Sequence, residues 1–460
     1  MSTGTPKQDP RRTQIPEAVD VALDNGLQLL VVPVPGNPYL AAHLELPAGS
    51  LGDPAEEEGL AAFTAQLLRH GTRRRSEAEL SEAIDGLGAR LSTATYLDHV
   101  DVGGDVTTLD PKNGELLLAA MAEIVREPTF PEAEIAKVRA LREGGIRRLA
   151  DQNDQVAARA FEQATLQGQL AGRPVSGSVA SLRRIDRPAI EGFWQRHYLP
   201  QGARLGIAGD ITVEQAVALA TRTFGSWTGT PEPLPDSPLP PPTAGRRLLL
   251  VDKKDPSLSQ VHFRIGAIAP VRTDSMELYP YRLAAHILGG DFSARLNQRL
   301  RVREGLTYGA RFSYRPTTNL PGTAGLVTYV ELDLLARALQ CSLEELHRFR
   351  DEGPQEQELA DARDKLVLSF PFRFETPTGT LDQISWLRRE GLPRDFLARY
   401  QERLDSVTFA AVQDMAAHGF PAGEDCVLVA VGNKEQARAL AETFPGTSVE
   451  VLSLADLGLC

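Results

Sequence analysis

Apolar side chains recur along this chain in two rhythms. In "GLAAFTAQLLRHGT", residues 59–72, Leu60, Phe63, Leu67 and Leu68 return at helical spacing and Gly71 supplies a stop, so the pattern predicts a helix with one buried face. "SEAELSEAIDGLGA" opens with Ser76 and Glu79 at capping-box spacing, and Leu80, Ile84 and Leu87 form its stripe before Gly86 and Gly88 end it. Asp186 and Pro188 start a further helix in "DRPAIEGFWQRHY". The other rhythm is alternating or continuous: "LQLLVVPV", "AAHLEL", "HVDVGGDV" and "ARLGIAG" come first, then "RRLLLVD", "QVHFRIGAIA", "TAGLVTYVEL" and "CVLVAV". Strands interleaved with long amphipathic helices predict an α+β fold, each mostly antiparallel sheet covered by helices on one face.

The pattern breaks once, at "TGTPEPLPDSPLPPPTAG", where seven prolines fall between Pro231 and Pro242. Such a segment is extended and joins no core. The two sides of it look like copies. "YLPQGARLGIAGDITVEQAVALATRTFG" and "GFPAGEDCVLVAVGNKEQARALAETFPG" share a turn, a buried strand, a Gly-polar turn and a helix ending in Thr-Phe, and "FPEAEIAKVRALRE" echoes "GPQEQELADARDKL". The expected division is a disordered leader at 1–17, a first domain at 18–228, a linker at 229–245 and a second domain at 246–460.

With 460 residues, each half has enough chain for its own core. The net charge of −12 argues against nucleic acid as a partner, since phosphate binding needs concentrated positive charge. Cys341, Cys426 and Cys460 form no disulfide framework, and the first two sit in apolar patterns that predict core positions. No apolar signal segment opens the chain and no run reaches the length of a membrane span, so the expectation is a soluble, cytoplasmic protein with no membrane partner.

Candidate chemistry is sparse. On the helix at 59–72, positions 62, 65 and 66 share a face where an H-x-x-E-H motif would carry two imidazoles and a general base, but the residues are Ala62, Ala65 and Gln66. The closest two histidines, His262 and His286, stand 24 positions apart, so no local His pair exists. P-loop, dinucleotide-binding and nucleophile-elbow motifs are absent. One segment stands out: "GGDFSARLNQRLRVREGLTYGARFSY" puts Arg295, Arg299, Arg301 and Arg303 on a helix stopped by Gly305, with Tyr308 at the start of a strand. Read as packing, this is a charged helix face with a half-buried aromatic; read as chemistry, an Arg and a Tyr together donate hydrogen bonds to a carbonyl oxygen without losing a proton.

These motifs resemble the M16, or pitrilysin-like, zinc peptidases over roughly residues 18 to 457. "LDNGLQLLVV", "LPAGS", "GLAAFTAQLLRHGT" and "YLPQGARLGIAGD" carry the resemblance in the first half, and "LAAHILGGDFSARLNQRLRVREGLTYG" carries it in the second. It implies two related domains forming half of a clamshell. Active members carry H-x-x-E-H where this chain has Ala62, Ala65 and Gln66, which implies no zinc cofactor here. A third ligand, a Glu, would fall near "LREGGIRRL", at Glu143 or, with the register shifted, at Gly145. Arg301 and Tyr308 match the family's Arg and Tyr pair that reaches the scissile carbonyl. The resemblance therefore implies a non-catalytic subunit of a heterodimeric endopeptidase, with zinc in an H-x-x-E-H sibling and a peptide as substrate; a purely structural scaffold and a peptide-capturing protein are the other readings. "RLSTATYLDHVDV" matches the region where active members add substrate as a strand.

Overall fold

The computed structural model describes residues 15–421 and 423–460. All but the last three positions of the leader expected at 1–17 lie outside the described residues. Two six-stranded sheets organise the chain. The first contains β1 (Val19–Ala22), β2 (Gln28–Pro33), β3 (Tyr39–Leu46), β4 (Arg90–Thr95), β5 (Val100–Thr107) and β6 (Arg204–Gly209), in the order β1-β2-β6-β3-β5-β4. The second contains β7 (Arg247–Asp252), β8 (Gln260–Ile268), β9 (Ala310–Tyr314), β10 (Thr323–Glu331), β11 (Val427–Gly432) and β12 (Val449–Ser453), in the order β12-β7-β11-β8-β10-β9.

Five strands correspond in order and direction. β2–β6 and β7–β11 are the parallel pairs, and β3 and β8 sit antiparallel between two neighbours. The strands of the two echoing segments are β6 and β11, in equivalent places. The outermost strands differ, because β1 joins β2 antiparallel while β12 joins β7 parallel. Residues 229–245 hold neither helix nor strand. Cys341 and Cys426 are buried in the second half and Cys460 is exposed.

Helices cover one face of each sheet, as expected, and the structure adds a cover for the other face taken from the opposite half. The helix Asn153–Thr165 lies across β8 and β11, while Pro377–Arg389 lies across β3 and β6. Central strands buried on both faces read as continuous apolar runs, which is why "RLGIAG" and "VLVAVG" show no alternation. Each exchanged helix seats a large side chain over a glycine. A Cβ on Gly206 would come within 2.6 Å of Leu381 Cδ1, and one on Gly266 within 2.6 Å of Phe161 Cζ. Ion pairs edge the second docking: Asp20 with Arg388, Glu45 with Arg389 and His43 with Asp382.

Candidate functional site

The helix Leu60–Leu67 forms inside the stretch its apolar spacing predicts. Leu60, Phe63, Leu67 and Leu68 are all essentially unexposed. Its start is held by Asp53, whose carboxylate accepts the Gly59 N–H at 2.7 Å and the Ala61 N–H at 2.8 Å. Burial pushes the Asp53 carboxyl up to about 7, against these bonds and the nearby Arg173, which favour the anion.

Ala62, Ala65 and Gln66 line a cavity of about 350 Å³, closed on one side by Thr93 and Thr95 of β4. Arg142, from the helix Glu132–Leu149, also lines it. Its Nη1 donates to Ala62 O and to Gln66 Oε1, both at 3.2 Å, and its Nη2 donates to Ser176 O at 3.2 Å. Burial drives its pKa down to about 10. Zinc does not fit this arrangement. Two methyl groups and one amide offer no adequate ligand set, and a guanidinium already aims positive charge at the amide oxygen.

Neither Glu143 nor Gly145 lines the cavity. Glu143 turns away to Arg147 at 2.9 Å and Arg183 at 3.3 Å. Ile135, Val138, Arg142 and Ile146 mark the inner stripe of that helix at helical spacing, so Arg142 is the residue that faces the site. Arg142 escaped the sequence reading; the apolar period of "EIAKVRALREGGI", extended through its charged residues, is the signal that marks it.

A separate cluster lies just beyond this helix. His70, Glu77 and Glu134 bring ligand-type atoms within 4.8 Å of one another, the one such group among the described residues. His70 Nδ1 is 2.9 Å from Glu134 and 3.3 Å from Glu77, and the Lys137 ammonium lies 2.6 Å from Glu77 and 3.2 Å from Glu134. Lys137 bridges the two carboxylates, and the group ties three helix ends together. Sequence spacing hid it, because one histidine and two glutamates from three segments make no local motif.

In the second half, the helix Leu278–Gly289 occupies the place that Leu60–Leu67 holds in the first. The single arginine-bearing helix expected after it is instead a short α-turn, Arg295–Asn297, followed by a wider π-type turn, Gln298–Arg303. Gly305, at φ +65°, ends the run. Two of the four arginines are structural: Arg295 pairs with Glu358 at 2.7 Å, and Arg299 bridges Glu304 and Glu344, each at 2.6 Å. Arg303 is exposed. Arg301 makes no ion pair among the described residues. Its guanidinium lies 4.2 Å from the Phe292 ring and 4.6 Å from the Tyr308 ring, and its Nη1 is buried without an acceptor. Phe292 and Tyr308 are 65% and 71% exposed, so this sandwich stands at the surface. The structure thus brings Arg301 and Tyr308 together, and adds Phe292, which nothing in the local sequence pattern marked.

No helix among the described residues is long and apolar enough to cross a membrane. A family model described as insulinase (peptidase family M16) matches residues 34–178, and one described as peptidase M16 inactive domain matches residues 184–366. An uncharacterized zinc protease of Rickettsia bellii is 27% identical over 341 residues, covering 73% of this chain and 79% of that protein. The fold matches the crystal structure of a peptidase M16 inactive domain from Pseudomonas fluorescens with a TM-score of 0.82 at 20% identity, covering 91% of this chain and 98% of that one. It also matches the periplasmic protease PqqL of Escherichia coli with a TM-score of 0.76 at 16% identity, covering 97% of this chain but 50% of the other. With both family models falling in order along it and the paired sheets repeating the architecture of these structures, the chain belongs to the M16 peptidase family.

Proposed function

We propose that this chain is the non-catalytic half of a two-chain M16 zinc endopeptidase and supplies Arg301 and Tyr308 to a site whose metal belongs to an H-x-x-E-H sibling. The observation that carries this reading is the contrast between the halves: Arg142 projects into the first, and an unpaired Arg301 stands beside an exposed Tyr308 in the second. The half-length match to PqqL supports it, since a second chain of this size restores the full length. A peptide carbonyl under attack gathers negative charge on oxygen. Arg301 N–H groups and the Tyr308 hydroxyl both donate hydrogen bonds, and neither needs to change protonation state to do so. The Phe292 and Tyr308 rings hold the guanidinium beside the exposed Tyr308.

The test is co-expression with an H-x-x-E-H sibling and measurement of peptide cleavage. Arg301→Ala combined with Tyr308→Phe is expected to lower turnover about 100-fold to 1000-fold, the usual cost of losing an oxyanion donor. A stable complex cleaving at the same rate as wild type would overturn the shared site and leave the scaffold reading.

A further inference from the structure

Arg142 carries a charge that its visible role does not require. Tying Ala62, Gln66 and Ser176 together needs only hydrogen-bond donors, and a neutral amide donates without the cost of burying a cation. No carboxylate pairs with Arg142 among the described residues. Asp53, the one acid that acts on its charge, has both oxygens committed to the Gly59 and Ala61 amides. Of the five guanidinium N–H donors, three are used, and the Nε–H is among those left, shielded from water with no acceptor.

Arg159 repeats the situation next door. Its Nη1 donates to Ser176 Oγ at 3.3 Å and its Nη2 to Gly177 O at 2.9 Å, its Nε is likewise buried without an acceptor, and it has no ion pair among the described residues. Two mostly buried arginines therefore converge on the dipeptide Ser176–Gly177 beside one cavity, with no carboxylate bonded to either among the described residues. Thr93 and Thr95, which also line that cavity, belong to β4, which pairs only with β5 and leaves its other edge free among the described residues. An extended peptide laid along that edge delivers an acidic group to the cavity.

We infer that the cavity between Ala62, Gln66 and β4 is a carboxylate-binding pocket, in which Arg142 receives the acid group of an extended peptide, with Arg159 adding positive charge behind it. With the Nε–H shielded, the donor left to an incoming carboxylate is the second Nη2–H, a charge-assisted hydrogen bond from a guanidinium that lines the cavity. A C-terminal carboxylate and an Asp or Glu side chain present the same chemistry. The pocket rests on the reading that this chain meets peptide, and it requires neither a sibling nor the Arg301 site.

The experiment measures fluorescence anisotropy of an N-terminally labelled Val/Thr octapeptide with the purified chain alone. The probe is made as the free acid, as the C-terminal amide, and as an amide carrying one Glu near its end. At least one acidic form is expected to bind about ten-fold more tightly than the plain amide, and which form does so identifies the source of the carboxylate. In Arg142→Gln, that advantage should vanish. Thr93→Leu narrows the cavity without touching Arg142, and should weaken the acidic probe even if the first variant folds poorly. The pocket is overturned if acidic and amide probes bind wild type equally, or not at all, or if the acid preference survives either substitution. Cleavage by the complex is a separate readout, so failure here leaves the shared-site reading standing, and the reverse holds.

Discussion

Arg142 and Arg301 both lack an ion-pair partner among the described residues, yet their settings are opposite. Arg142 sits inside the first half, with its N–H groups on two main-chain carbonyls and an amide, on a helix whose inner stripe is core. Arg301 sits at the surface of the second half, on a π-type turn, held only by two exposed rings. The helix Leu60–Leu67 needs no chemistry to justify itself, since Phe63 and its neighbours are buried in the core they share with the first sheet. Phe292 and Tyr308 bury too little surface for stability to explain them. Packing accounts for the helix Leu60–Leu67 but not for Phe292 and Tyr308.

The largest expected effect tests whether Arg142 bars metal binding. Ala62→His, Ala65→Glu and Gln66→His together restore the H-x-x-E-H pattern but leave a guanidinium facing it, and such a chain is expected to retain no stoichiometric zinc after dialysis. Adding Arg142→Glu converts that repulsion into a ligand and should bring retained zinc to about one ion per chain by elemental analysis. Equal zinc in the triple and quadruple variants would show that Arg142 is not the deciding group.

Stability comes next. Phe63→Ala should cost about 3–5 kcal/mol in urea unfolding, as for other fully buried aromatics, whereas Phe292→Ala should cost no more than about 1 kcal/mol. A large loss from Phe292→Ala would make the surface sandwich structural and remove the contrast.

The two helix seats sharpen the comparison further. Gly206→Ala pushes against the flexible end of Leu381, 2.6 Å from the new Cβ, and should cost about 1–3 kcal/mol. Most of that penalty should disappear in a Leu381→Ala background, because the shortened side chain vacates the space. Gly266→Ala meets Phe161 at 2.6 Å but also the Ala324 carbonyl oxygen at 2.2 Å, so Phe161→Ala should not relieve it. Equal rescue in both seats, measured as coupling energies, would mean the backbone of β10 yields more easily than its hydrogen bonds to β8 imply.

Much of this architecture was legible in the residues. Continuous apolar runs marked the central strands, and the capping box of Ser76 and Glu79 forms as spelled, with bonds of 2.8 and 3.3 Å. Asp186 likewise accepts the Ala189 N–H at the helix start read from it. The outermost strands β1 and β12 escaped notice because they are short and half exposed, so no apolar rhythm develops. The exchange of helices was invisible, since an amphipathic stripe states that a face is buried and not which half buries it. At the first site, positions 62, 65 and 66 were readable from helical spacing, but Arg142 stood hidden among charged neighbours. At the second, Arg301 and Tyr308 were readable as a pair, and Phe292 required the fold.

The smallest expected effect concerns the charged rim of the seam. His43 on β3 lies 3.1 Å from Asp382 on the helix supplied by the second half, and 3.9 Å from Asp101. Burial alone disfavours its charged form, but the hydrogen bond to Asp382 and the carboxylates of Asp101, Asp382 and Glu45 outweigh it and raise the pKa above the ordinary 6.5. The folded state therefore keeps a proton that the unfolded chain has begun to lose. Its contribution to stability is fully present below 6.5 and drains away as pH rises through the higher folded value. His43→Gln should accordingly cost more stability at low pH than at about pH 8, where neutral imidazole and amide differ little. The apolar seat of Leu381 has no such dependence, so Leu381→Ala should cost the same at both. If the His43→Gln penalty is flat with pH, the seam is held by packing alone and its ion pairs serve only to align it.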